Sequence, residues 1–240
     1  MKIIDKIKAK NSDNYNAGPV TLAFLGDSVT HGCFDCYFDE NGVVNTYFNR
    51  SASYANRVAE ILNILYPSAQ INIVNSGISG DGARNGNARF DRDIKPFSPD
   101  LVVVSYGLND SCAGIDAVNT YVDSLNSIFS KVKELGAECI FLTENMMCTK
   151  VSCHLQGDNA KDLAKFFAEV QNSGTLDRYF DAAKKAAADN GVKVCDIYSY
   201  WKMMYDNGVD VTDLLANKYN HPIEKLHYFT AVKLVETMFS

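Results

Sequence analysis

The chain has 240 residues, 47% of them hydrophobic and 22% charged, with a formal net charge of -6 at pH 7. This composition suits one α/β domain over 1–240 with a sizeable buried core, and it argues against a disordered chain. The acidic balance, with no stripe of Lys and Arg, argues against a nucleic-acid partner.

The N-terminal segment Met1-Lys2-Ile3-Ile4-Asp5-Lys6 carries charge but no apolar run of signal-peptide length, and no later stretch is long enough to span a membrane. A cytoplasmic protein without a membrane partner is the expectation. Seven cysteines, an odd count, suit free thiols in a reducing compartment. Cys33 and Cys36 form a C-x-x-C, and Cys148, Cys153 and His154 cluster later. A redox or metal site there is the minority reading, because no second close Cys pair completes a ligand set.

In chain order, Val20 to Leu25 is an apolar run closed by Gly26-Asp27, the pattern of a buried parallel strand ending in a turn. Similar runs recur at Ile71 to Asn75, Leu101 to Ser105, Cys139 to Thr143 and Val192 to Asp196. Helical periodicity covers Ser53 to Tyr66, Gly86 to Ile94, Ala117 to Leu135 and Thr175 to Asn190, with Gly136 and Gly191 as C-caps. The alternation predicts a three-layer α/β/α sandwich around a five-stranded parallel sheet. Asn145 to Ser173 reads as an insertion over the top of the sheet, with Lys161 to Val170 helical inside it. Tyr198 to Tyr205 and Ile223 to Phe239 read as further helices, and Asn207 to Asn220 as a loop or short helix.

Open parallel sheets bind ligands at the carboxyl ends of their strands, so the polar residues after each run are the candidates. They are Gly26-Asp27-Ser28, Ser76 to Gly82, Gly107-Leu108-Asn109-Asp110 and Glu144-Asn145. Singly, each is an ordinary turn or cap. Together they offer a nucleophile, Ser28, and donors for a developing oxyanion: the N–H groups of Ser28 and Gly80 and the side-chain amide of Asn109. A serine also needs a base, and there are four histidines. His31 belongs to the first helical turn after Ser28 and His154 to the insertion. His221, in Asn220-His221-Pro222, lies on a loop entering the last helix and suits a base; His227 is better placed to pack below it.

In order and spacing, these blocks resemble the SGNH hydrolase family, also called GDSL-type esterases and lipases. Gly26-Asp27-Ser28 resembles its nucleophile block, Asn75 to Asp81 its glycine block, Gly107-Leu108-Asn109-Asp110 its Gly-x-Asn-Asp block, and His221-Pro222 its histidine block. The resemblance implies a flavodoxin-like sheet, Ser28 as nucleophile, Gly80 and Asn109 in the oxyanion hole, and His221 as base. It also implies an ester hydrolase without metal or cofactor. Lys218 stands where the family usually has an aspartate, three residues before the histidine. The expectation is therefore a Ser–His dyad with a carbonyl or water behind the ring. Asp213 is the candidate carboxylate, with Asp210 and the Asn220 side chain as other acceptors.

Asp27 and Asp110 are assigned supporting roles in their turns. Arg84 and Arg89 pair with Asp91 and Asp93 or contact substrate; Trp201, Tyr106 and Asn145-Met146-Met147 line a pocket or fill the core. The expected reaction is hydrolysis of a short acyl ester, acetyl first, on a carbohydrate or small molecule. An acyltransferase using the same acyl-enzyme and an inactive carbohydrate-binding relative are the alternatives.

Overall fold

The computed structural model describes residues 1–240. Its elements are α1 (Lys2–Ser12), β1 (Val20–Gly26), α2 (Ser28–His31), β2 (Cys33–Phe38), β3 (Val44–Phe48), α3 (Tyr54–Leu65), β4 (Ile71–Gly77), α4 (Ala83–Asp93), β5 (Leu101–Ser105), α5 (Leu108–Ser111), α6 (Val118–Glu134), β6 (Glu138–Leu142), α7 (Asp158–Asn172), α8 (Thr175–Asp189), β7 (Lys193–Cys195), α9 (Ile197–Asp206) and α10 (Glu224–Phe239). No helix is long and apolar enough to cross a membrane.

The five runs read as strands form one parallel sheet in the order β4-β1-β5-β6-β7. Leu101 to Ser105 are all buried because helices cover both faces of the central strand: α1, α3 and α10 on one side, α4, α6 and α8 on the other. A strand buried on both faces must be apolar throughout, which is why Leu-Val-Val-Val reads as a run and not as an alternation. Truncating a wholly buried member of this core, such as Phe141, costs about 3–5 kcal/mol.

After β1 the chain moves outward to β4 and then returns across β1 to β5, so the strand order reverses between β1 and β5. That reversal opens a crevice at the carboxyl edge of the sheet. The register sharpens it: Gly26 lies level with both Gly77 and Ser105, so the three following turns leave the sheet at one height. A Cβ at Gly77 would meet the His31 backbone nitrogen at 2.2 Å, and only glycine lets the two turns approach this closely.

Two elements lie outside the sequence expectation. The N-terminal residues form α1, and Cys33 to Phe48 form an antiparallel hairpin, β2–β3, separate from the main sheet. Within the segment read as an insertion, residues 143–157 are largely irregular, and α7 packs against the hairpin strand β2.

Candidate active site

Ser28 opens the one-turn helix α2 directly after β1, with Asp27 as its N-cap: the Val29 N–H donates to Asp27 Oδ1 at 2.9 Å. The cap pins the turn, and Ser28 stays 97% shielded from solvent, with a relative exposure of 3%. The structure brings His221 to it. His221 Nε2 and Ser28 Oγ are 2.9 Å apart although 193 positions separate them in the chain.

The His221 loop is held by a residue that the sequence reading overlooked. Asn217 Oδ1 accepts three backbone N–H groups, those of Tyr219, Asn220 and His221, each at 3.0 Å. The Ala216 N–H donates to His221 O at 2.7 Å, and Asn145 Nδ2 donates to Asn220 O at 2.7 Å. Lys218, at the position of the missing aspartate, takes a left-handed φ of 62° within this turn. An asparagine four residues before a candidate base, followed by polar turn residues, was the available sequence signal.

The side chain behind the ring differs from each protein group expected there. Asp213 is mostly exposed, with its carboxylate 3.7 Å from Lys218 Nζ. Asp210 pairs with Lys150 and caps Thr212, and Asn220 Oδ1 accepts from Asn217 Nδ2 at 3.0 Å. The atom facing His221 Nδ1 is Cys36 Sγ, at 3.8 Å, and Cys33 Sγ lies 4.0 Å beyond it. Neither a carbonyl nor Asp213 fills the place, because the hairpin carries β2 across the site and Asp213 turns outward. The Cys36 thiol is pulled below its usual range, first by the hydrogen bond from Cys33 and further by His221, while Cys33 is pushed up. The hairpin escaped the sequence reading although Asn41-Gly42 between two stretches of aromatic and β-branched residues is a hairpin signal.

The three expected oxyanion donors fall into two kinds. The N–H groups of Ser28 and Gly80 donate to no other protein group, and Gly80 takes a φ of +79° that favours glycine. The Asn109 amide is already engaged: its Nδ2 donates to Asp27 Oδ2 at 3.1 Å and to Asp81 O at 2.8 Å. It therefore clamps the β1, β4 and β5 turns together, and it meets an oxyanion only by exchanging one of these bonds.

Below the serine lies a buried carboxyl pair. Glu144 Oε2 accepts the Leu108 N–H at 3.0 Å, while its buried Oε1 has no hydrogen-bond partner. Burial, the largest cause for both, raises the two acids, and the neighbouring Asp27 charge raises Glu144 further. Asp110 caps α4 through the Ala83 N–H at 3.0 Å and is pushed up to about 7, chiefly by burial.

Arg89 proves structural. It pairs with Asp81 at 2.7 Å and Asp93 at 2.9 Å and donates to Ser76 O and Gly26 O, tying the ends of β4 and β1. Asp91 faces Lys95 instead, and Arg84 is exposed. Trp201, Met146 and Met147 are core residues, and Tyr106 is buried with its hydroxyl accepting from Arg89 at 2.8 Å. His31 packs on Phe48, and His227 is wholly buried with Nδ1 accepting from the Tyr54 N–H at 3.2 Å. Exposed His154 lines a cleft of about 380 Å³ that also reaches Cys36, Phe38, Asn217 and Tyr219.

A parallel α/β sheet with a hydrogen-bonded serine and histidine at its carboxyl edge is the architecture of the SGNH-type carboxylic ester hydrolases. Residues 24–228 match the GDSL-like lipase/acylhydrolase family, and the chain belongs to that family. It is 29% identical over 131 residues to an acetylxylan esterase of Geobacillus stearothermophilus, covering 51% of this chain and 58% of that one. It is also 29% identical over 98 residues to an arylesterase of Vibrio mimicus, covering 38% of this chain and 48% of the other. The matched stretches thus span about half the length of these curated relatives. The fold is similar to that of Axe2, an acetylxylan esterase from Geobacillus stearothermophilus, with a TM-score of 0.66 at 22% identity over 91% of this chain and 94% of that one. A two-domain esterase active on acetylated mannans shares it too, with a TM-score of 0.65 at 17% identity over 98% of this chain and 52% of the other.

Proposed function

We propose that the chain is a serine esterase that hydrolyses short acyl esters, acetyl esters of a carbohydrate or small molecule first among them. The observation that carries this reading is the 2.9 Å approach of His221 Nε2 to Ser28 Oγ, within the reach a general base needs to take the hydroxyl proton. Family membership supports the reaction class, and the relatives named for acetylated xylan and mannan support the choice of acyl group.

His221 takes the Ser28 proton as Oγ attacks the ester carbonyl. The N–H groups of Ser28 and Gly80, joined by Asn109 as it releases Asp27 or Asp81 O, stabilise the tetrahedral oxyanion. His221 then returns the proton to the leaving alcohol, and water, deprotonated by the same ring, releases the acid from Ser28. Nδ1 carries the proton throughout and donates to Cys36 Sγ, so the thiol occupies the orienting role of a triad carboxylate. Seven unpaired cysteines favour a reducing compartment, in accord with a cytoplasmic enzyme.

Hydrolysis of p-nitrophenyl esters of graded chain length by wild type, Ser28→Ala and His221→Ala tests the proposal. Acetate is expected to be the best substrate, and each variant to lose ~10⁴-fold or more in kcat. Full activity in either variant overturns it.

A further inference from the structure

We propose that Cys33, Cys36 and His221 form a zinc site, and that zinc bound there switches off the ester chemistry of Ser28. The three ligand atoms, two Sγ and Nδ1, lie within 4.8 Å of one another. Residues i and i+3 of a regular strand point to opposite faces. Here the pairing register shifts between Cys33 and Asp35, and both thiols reach the same side.

The separations distinguish a metal from a disulfide. A tetrahedral zinc with bonds of ~2.3 Å to sulfur and ~2.0 Å to nitrogen holds two sulfurs about 3.8 Å apart and sulfur and nitrogen about 3.5 Å apart. The Sγ–Sγ distance is 4.0 Å and that from Cys36 Sγ to Nδ1 is 3.8 Å, so these two contract by only a few tenths of an ångström, and Cys33 Sγ, within 4.8 Å of the histidine nitrogen, closes up as the ion draws the three together. A disulfide needs ~2.05 Å and would bring the two sulfurs about 2 Å closer than they stand. Two thiolates and one imidazole also balance the charge of the ion, and three protein ligands leave a fourth position for water. The cleft of about 380 Å³ that reaches half-buried Cys36 provides a route from solvent.

Binding releases to solvent whatever protons the two sulfurs still carry and places zinc on Nδ1, whose own proton moves to Nε2. The one proton of the neutral ring then sits on Nε2, which faces Ser28 Oγ. A protonated Nε2 donates to Oγ and cannot accept its proton, so zinc occupies the base from behind without entering the serine pocket. The effect on activity rests on the esterase reading above; the metal site rests on the cluster geometry alone.

The test uses reduced, metal-free full chain titrated with buffered zinc, with bound metal counted by mass spectrometry and p-nitrophenyl acetate hydrolysis followed in parallel. One zinc per chain is expected, with hydrolysis falling at the same midpoint and returning on addition of a chelator. Cobalt in place of zinc should give a sulfur-to-cobalt charge-transfer band that Cys33→Ser and Cys36→Ser each weaken and the double substitution removes. Cys33→Ser, compared with its own zinc-free rate, should need more than ~10-fold more zinc for the same loss. Ser28→Ala should bind zinc as wild type does, which keeps the metal readout when hydrolysis is absent. A protein that binds zinc through both cysteines but never hydrolyses esters sinks the esterase reading and leaves the metal site standing. No stoichiometric zinc at tens of micromolar, or binding that survives both cysteine substitutions, overturns the site. Zinc bound with hydrolysis undiminished overturns the switch.

Discussion

Cys36 Sγ stands 3.8 Å from His221 Nδ1, so a thiol from a hairpin outside the main sheet occupies the position behind the ring. Hydrogen bonds to a charged partner contribute roughly 1.5–3 kcal/mol, equivalent to about 10- to 100-fold in rate when the partner holds a catalytic ring. Metal-free Cys36→Ala should therefore lose kcat by about that factor with KM little changed, whereas Cys36→Asp should recover part of the loss. Steady-state kinetics on the three proteins decide it: equal kcat in wild type and Cys36→Ala would remove the thiol from the mechanism.

Asn217 is the keystone of the His221 loop, with one oxygen accepting three N–H groups at 3.0 Å. Asn217→Ala leaves those donors unmatched in a buried site, at about 1–3 kcal/mol for each that water cannot reach. A loss of at least ~2 kcal/mol in stability is expected, together with lower kcat, since a displaced His221 no longer meets Ser28. Asn217→Asp keeps the acceptor oxygen and should restore most of both. Denaturant unfolding paired with kinetics separates this from a purely local effect.

Gly80 has a φ of +79° and an N–H with no protein acceptor. No heavy atom lies within 4 Å of the Cβ that alanine would add, so Gly80→Ala is strained by its backbone and not by a clash. The strain is about 1 kcal/mol. If the N–H turns away to relieve it, kcat falls by as much as ~10²-fold, the scale of one lost oxyanion donor. An unchanged kcat at reduced stability would show that the Gly80 N–H does not serve the reaction.

His227 links acid sensitivity to the fold. Its pKa is lowered to about 3, mainly by complete burial, with His221 and Arg57 pushing the same way. Its Nδ1 accepts from the Tyr54 N–H, its ring packs on Phe34, and buried Nε2 has no partner. The unfolded histidine titrates near ~6.5, so between that pH and 3 the unfolded chain binds a proton that the native state refuses. Stability from this residue is present above pH ~6.5 and declines as pH falls, by at most about 1.4 kcal/mol per unit. Asp110, raised to about 7, acts oppositely: the native state keeps a proton that the unfolded chain releases as pH rises from ~4. Wild type therefore shows the sum, and the comparison with His227→Asn isolates the histidine. The variant should lose less stability than wild type between pH 7 and 5; parallel profiles would show that His227 is not the group responsible.

The strands and the turns that follow them were legible because their signals are local. Leu22 to Leu25 and Leu101 to Val104 are apolar throughout because helices cover both faces, and Ser28 and Asn109 follow these strands within a few residues. Even His221 stood out, since a histidine before proline at a helix entrance has few other readings. The roles taken by Arg89 and Asn109 were less legible. Both sit where a substrate contact was plausible, and their partners, Gly26 O, Asp81 and Asp27, come from other strands.

The sequence by itself determined the parallel sheet and the order of the motif blocks, because each follows from hydrophobic runs and turn chemistry within a few residues. Only the tertiary structure decided what stands behind His221. That choice depends on a register shift in the β2–β3 hairpin and on its placement beside a loop stapled by Asn217. Neither leaves a periodic trace in the chain, since a contact between positions 36 and 221 is set by packing across the fold.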